Sequence, residues 1–216
     1  MSCNQPIRFY DNIPVISYVL LRGRCRHCKI PFSPRYPLIE LLSGLFALGV
    51  FLRWGMSPES LIYFGFIAAL VVITFIDIDH YIIPDVISLP GIPVGVIAAF
   101  FLPDMTVKAS ILGLLLGGGI LYAVAWTYEL LAHKEGMGGG DIKLLAMIGA
   151  FVGWKGVLVT LFTGSIVGTL IGGAVMLYTR SSLKLKIPFG PFLAIGALAH
   201  IFFGNDLINW YWNALQ

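Results

Sequence analysis

Seven stretches of this 216-residue chain run almost free of charge, and no other feature constrains its folding as strongly. They fall at approximately 37–53, 59–76, 84–102, 108–130, 141–154, 156–178 and 187–203. An α-helix rises about 1.5 Å per residue, so roughly 20 apolar residues cross the hydrocarbon core of a bilayer. A soluble domain gives about a quarter of its residues to charge; here the share is 12%, with 58% hydrophobic. The sequence therefore predicts an all-α, polytopic integral membrane protein, with about seven transmembrane helices after a short N-terminal region. The fifth stretch is short for a crossing and follows a run of glycines, so an irregular, unwound start is expected there. Hydropathy leaves open whether the fifth and sixth stretches are two crossings or one bent one.

Residues 1–36 carry six of the 14 Lys and Arg residues and a single acid, Asp11. With this region in the cytoplasm, loops 77–83, 131–143 and 180–186 share its side, and together they hold eleven basic residues. Arg53, Lys108 and Lys155 fall opposite. That bias satisfies the positive-inside rule and predicts a cytoplasmic N-terminus. The division expected is a basic, cysteine-bearing cytoplasmic region over 1–36 and a membrane domain over 37–216. No basic stripe with interleaved aromatics suggests nucleic acid as a partner. The three cysteines all lie within the first 28 residues, unlike a secreted disulfide framework. No cleavable signal opens the chain.

Five of the 11 acids fall in two short patches. One is Asp77-Ile78-Asp79-His80-Tyr81-Ile82-Ile83-Pro84-Asp85; the other is Glu135-Gly136-Met137-Gly138-Gly139-Gly140-Asp141. Acids at membrane depth are costly and are functional candidates by default. Two carboxylates held together do not both ionise easily, so one keeps a proton while the other acts as base. That arrangement activates water for attack on a peptide carbonyl. Asp77 and Asp79 point to different faces of a helix, so a dyad needs one acid from each patch. Plainer roles exist: Asp141 as a helix N-cap, Asp85 as a cap or turn residue, Asp79 and His80 facing headgroups.

The ordered motifs resemble those of the type IV prepilin peptidases, membrane aspartic proteases of the GxGD kind. They are Asn12-Ile13-Pro14, Cys25-Arg26-His27-Cys28, Arg35-Tyr36-Pro37 with Glu40-Leu41, the two acidic patches, and Pro188-Phe189-Gly190-Pro191-Phe192. The resemblance covers nearly the whole chain. It implies Asp77 and Asp141 as the catalytic pair, choosing Asp77 over Asp79 where spacing alone does not. It implies removal of a prepilin or pseudopilin leader after a glycine, at the cytoplasmic face of the bacterial inner membrane, within a helical protease domain over 37–216. Proteolysis then needs no cofactor. N-methylation of the new terminus with S-adenosylmethionine, common in the family, is left open for this chain. The partners implied are prepilins or pseudopilins of a type IV pilus or type II secretion system and the lipid bilayer.

The family commonly carries two Cys-x-x-Cys pairs, a spacing suited to tetrahedral zinc. Here Cys25 and Cys28 supply the second pair and Cys3 one member of the first, so the implied metal ligands are Cys3, Cys25 and Cys28. The chain reads as N-terminally shortened, lacking the family's first helix. Reduced thiols in a turn are the alternative.

Glu40 is expected to pair with a nearby arginine, with a role toward a basic leader or in methylation as the alternative. Lys143 is expected to snorkel to headgroups, or else to tune the dyad or hold a lipid phosphate. Gly164, Gly168, Gly172 and Gly173, with Ser165 and Thr169, predict a small-residue packing face. Pro188–Pro191 is expected to shape the start of the last span without a catalytic role, and Trp210, Tyr211 and Trp212 to form an outer aromatic anchor. Two other functions compete: an ion-coupled transporter with the acids in broken helices, and an inactive scaffold of a pilus or secretion assembly.

Overall fold

The computed structural model describes residues 5–133, 138–179 and 187–214, with backbone alone from 205 onward. These residues divide into two compact units, 1–64 and 65–216, with the division falling inside a helix. Cys3 and Glu135 to Met137 lie outside the described residues.

In the first unit, a short helix α1 (Ile16–Leu20) leads into a tight knuckle. The Cys25 N–H donates to the Ile30 carbonyl at 2.9 Å, and the Phe32 N–H to that of Gly23 at 2.7 Å. Gly23 has φ +67°, a left-handed conformation that favours glycine, and a Cβ there would lie 2.9 Å from the end of the Tyr18 side chain. Helix α2 (Arg35–Trp54) follows. Glu40 on α2 accepts a hydrogen bond from the Val15 backbone N–H at 3.1 Å. Val15 takes φ +60°, a conformation costly for a β-branched residue. The acid thus goes to a strained backbone amide and not to the arginine the sequence suggested. An orphan amide beside an apolar helix needs an acceptor.

Helix α3 (Pro58–His80) begins with proline at its first position. The Ser57 hydroxyl caps it by accepting from the Ser60 N–H at 3.2 Å. It ends where Tyr81 turns left-handed (φ +56°). Helix α4 (Asp85–Ala98), α5 (Val107–Ala132), α6 (Gly139–Thr179) and α7 (Gly190–Ala214) complete the chain. Thr106 caps α5 by accepting from the Ala109 N–H at 3.1 Å. Helices α2, α3, α5 and α6 are long and apolar enough to cross a membrane, while α4 and residues 190–204 of α7 are shorter apolar helices. The protein is an all-α, multi-pass membrane protein.

A straight helix of 41 residues would be about 60 Å long, twice the hydrocarbon thickness. Instead α6 breaks at Gly153 (φ 70°, ψ 178°). A Cβ on Gly149 would lie 2.9 Å from Cγ2 of Val157, eight residues onward, so the chain doubles back there. The fifth and sixth apolar stretches are therefore the two arms of one helical hairpin.

The first arm is the core of the second unit, with every residue from Leu144 to Gly153 buried. Lipid tails are as apolar as leucine, so cohesion here comes from close packing and interhelical hydrogen bonds. Glycines supply the closeness. A Cβ on Gly113 of α5 would lie 2.2 Å from the Gly149 carbonyl oxygen, and one on Gly117 2.4 Å from that of Leu145. On α4, Gly91 and Gly95 make the same approach to Met147 and to Ala150 with Phe151. Phe151 also stacks on Phe66 of α3 at 4.2 Å between ring centroids. The buried Ser110 hydroxyl donates to the Ala150 carbonyl at 2.7 Å, adding a polar tie between α5 and α6.

The second arm packs on α7. Gly164, Gly168 and Gly172 meet Phe192 or Ile187, as the sequence suggested, and Gly196 meets Thr160. Gly173 does not take part, having nothing within 4 Å of a Cβ position. Ser165 and Thr169 are exposed, with Thr169 bonded back to its own helix at the Ser165 carbonyl. They sit a quarter turn off the buried stripe.

Candidate active site

Asp77 lies in the last turn of α3 and is only 5% exposed, the deepest carboxylate among the described residues. Its side chain has one donor: the Gly190 backbone N–H, at the start of α7, reaches Oδ2 at 3.0 Å. The Asp77 carbonyl accepts from the Tyr81 N–H at 2.8 Å, which closes α3. A Cβ on Gly190 would come within 2.6 Å of Asp77 Oδ2. Glycine at 190 is therefore what lets the amide reach the carboxylate.

Asp141 sits in the first turn of α6, where the helix dipole favours a negative charge. It is half-buried. Both carboxylates line one cavity of about 460 Å³, walled by the Tyr81–Asp85 link between α3 and α4 and by Gly138 and Gly140. The volume exceeds that of a water molecule more than tenfold, leaving room for a short extended peptide segment.

The described part of the glycine run is not an unwound segment. Gly138 is irregular, but α6 starts at Gly139, and Gly140 is already helical. Its need for glycine is spatial, since a Cβ would lie 2.9 Å from Ile83 Cβ. Ile83, buried between Gly140 and Gly190, thus sets the spacing between the two walls.

Asp77 is buried and lines the cavity, while Asp79 and His80 are exposed and do not line it. Asp85 is no helix cap, because Pro84 holds the N-cap position of α4. Its carboxylate instead binds Lys143 Nζ through both oxygens, each at 2.8 Å. Lys143 is accordingly engaged with protein and not free to snorkel. Sequence reasoning missed the Gly190 amide, although Pro188-Phe189-Gly190-Pro191 was its visible signal. A proline-flanked glycine at a helix start leaves a backbone donor exposed.

The profile of the type IV leader peptidase family matches residues 64–173, and that of the bacterial peptidase A24 N-terminal domain matches residues 1–54. The chain belongs to the type IV leader peptidase family. A prepilin leader peptidase/N-methyltransferase of Burkholderia pseudomallei is 38% identical over 203 residues, covering 94% of this chain and 66% of the relative. Proteins of the same description in Aeromonas hydrophila and Pseudomonas putida are 37% and 38% identical. They cover 97% and 95% of this chain and 72% of each relative. No solved structure matches.

In the first unit, Cys25 and Cys28 stand at either end of the knuckle turn, with Cys25 half-buried and Cys28 exposed. The Lys29 N–H donates to the Cys25 carbonyl at 3.1 Å, which closes the turn. Among the described residues no three metal-capable side chains converge.

Proposed function

We propose that this protein is a membrane-embedded aspartic endopeptidase that removes the leader of type IV prepilins or pseudopilins after a glycine. The observation carrying this reading is that Asp77 and Asp141, from two different helices, line one cavity. In the reaction, one carboxylate takes a proton from a water molecule as the water oxygen attacks the scissile carbonyl. The other carboxyl, protonated, gives its proton to the carbonyl oxygen. The tetrahedral diol then collapses, the C–N bond breaks, and the departing nitrogen takes a proton from the dyad. The Gly190 amide holds Asp77 in place throughout.

A transporter reading is less well supported, because the acids stand at helix ends, the last turn of α3 and the first of α6, and not at mid-helix breaks. Incubating detergent-solubilised protein with a prepilin tests the proposal: leader removal that needs both aspartates is expected. Ion flux without cleavage would favour the transporter, and neither activity would leave the scaffold.

The site is assigned to the cytoplasmic face of the bacterial inner membrane, with the N-terminus inside, on the distribution of basic residues. Residues 1–36 would form the cytoplasmic region and 37–216 the protease domain. The relatives' names pair leader removal with N-methylation. We infer the same second step here, with S-adenosylmethionine as methyl donor; none of the residues described above is assigned to it. The thiols of Cys25 and Cys28 fit two positions of a tetrahedral zinc, and Cys3 is proposed as a third ligand. One zinc per purified chain, lost in Cys25→Ser, is the expected result; zinc-free wild type would remove the metal.

A further inference from the structure

We propose that Lys143 is a positioning residue for the dyad that acts through charge, holding Asp85 neutralised so that the cavity presents two carboxylates and not three. This inference rests on the dyad reading above. Asp85 lines the same cavity as Asp77 and Asp141. Lys143 follows Asp141 by two residues on α6 and binds both Asp85 oxygens at 2.8 Å, although the partners are 58 residues apart. Asp85 stands in the first turn of α4, not at its N-cap. The pair is well exposed, with side chains 38% and 55% accessible, so it adds little to stability. Its effect falls on the field inside the cavity.

Helix α3 and its end present Asp77 and Tyr81 to the cavity, while Asp79 and His80 on the same turn do not line it. Helix α4 presents Asp85, and α6 presents Asp141. Helix α7 brings the Gly190 amide and has no ionisable side chain before His200. Glu129 and His133, near the end of α5, do not line the cavity. Lys143 is thus the one cation bound to a cavity-lining carboxylate among the described residues. Without it, Asp85 would add a third, uncompensated negative charge to the lining of the cavity that holds the dyad.

The test is the pH–rate profile for prepilin cleavage by the purified full chain. Lys143→Met should move the acidic limb upward by about half to one pH unit, since uncompensated negative charge makes the dyad hold protons more tightly. Asp85→Asn should move it downward by a similar amount, because Lys143 is then unopposed. The double variant should lie near wild type, as should Lys143→Arg. Two single variants that shift the same way, or lose rate without any shift, would overturn the inference in favour of a plain structural latch. If Lys143→Met fails to accumulate, Lys143→Gln carries the same expectation. Infrared difference spectra of the protonated carboxyl band against pH read these shifts without substrate. A wild type that cleaves nothing would therefore sink the protease reading, while this inference would still be decided by the spectra.

Discussion

The backbone N–H of Gly190 is bonded to Oδ2 of Asp77 across 113 residues of sequence. The start of α7 thereby aims the buried carboxylate of α3. A methyl group at 190 would lie 2.6 Å from that oxygen and push the two apart. Gly190→Ala should lower kcat for leader cleavage about 10- to 100-fold, as expected for a small misplacement of a reacting group. Gly173→Ala, in open space, is the control. An unchanged rate in Gly190→Ala would show that the amide does not position the acid.

In the proposed mechanism, neutralising either member of the dyad removes the base or the acid. Asp77→Asn and Asp141→Asn should each reduce cleavage by about a thousandfold or more. Both proteins should still insert and run as monodisperse species in detergent. Retained cleavage in either, at equal protein level, would remove that residue from the mechanism.

Backbone contact between α5 and α6 leaves no room for growth. Gly113→Ala places a methyl against the Gly149 carbonyl, whereas Gly119→Ala meets nothing within 4 Å. The first should cost about 1–3 kcal/mol or more. The second should be neutral or gain up to about 1 kcal/mol of helix propensity. Thermal unfolding in one detergent separates them, and equal melting temperatures would contradict the packing described.

In the N-terminal unit, Arg26 binds both Asp11 oxygens at 2.7 and 2.8 Å and holds its carboxyl below the ordinary 3.8. The depressed value means that the pair's contribution is complete above that pH and is lost as pH falls through the folded-state value. Limited proteolysis of residues 5–34 should therefore quicken only in acid below about pH 4. In Arg26→Met, cleavage should already be fast at neutral pH. Identical susceptibility of the two proteins would show that the bridge does not hold this segment.

The apolar stretches and the two acidic patches were legible because each breaks a strong rule. Charge is rare throughout, and acids beside membrane spans need a reason. Partner-dependent features were hidden. Gly91 with Gly95, and Gly113 with Gly117, have the same four-residue spacing as the glycines of the second arm, yet only the opposing backbone reveals which face is used. Gly173 illustrates the converse, a small residue in register with no neighbour. Glu40 was expected to pair with a nearby arginine and Lys143 to reach the headgroups, yet each has a protein partner that lies far away in sequence. The apolar run was already divided at 154–156, but hydropathy did not tell two crossings from one bent one; the backbone of Gly153 does.

That reversal bears on biogenesis. The first arm, residues 139–152, is about 21 Å long, too short to be recognised as a membrane segment alone. It carries the proposed catalytic Asp141 near its start, so its delivery cannot be left to chance. At the tip, Lys155 lies over the Trp154 ring at 5.7 Å, a cation and an aromatic suited to a headgroup layer. The insertion machinery must therefore accept both arms as a single cargo. Ribosome transit past the tip is then the moment at which the second half of the proposed active site becomes committed to the bilayer.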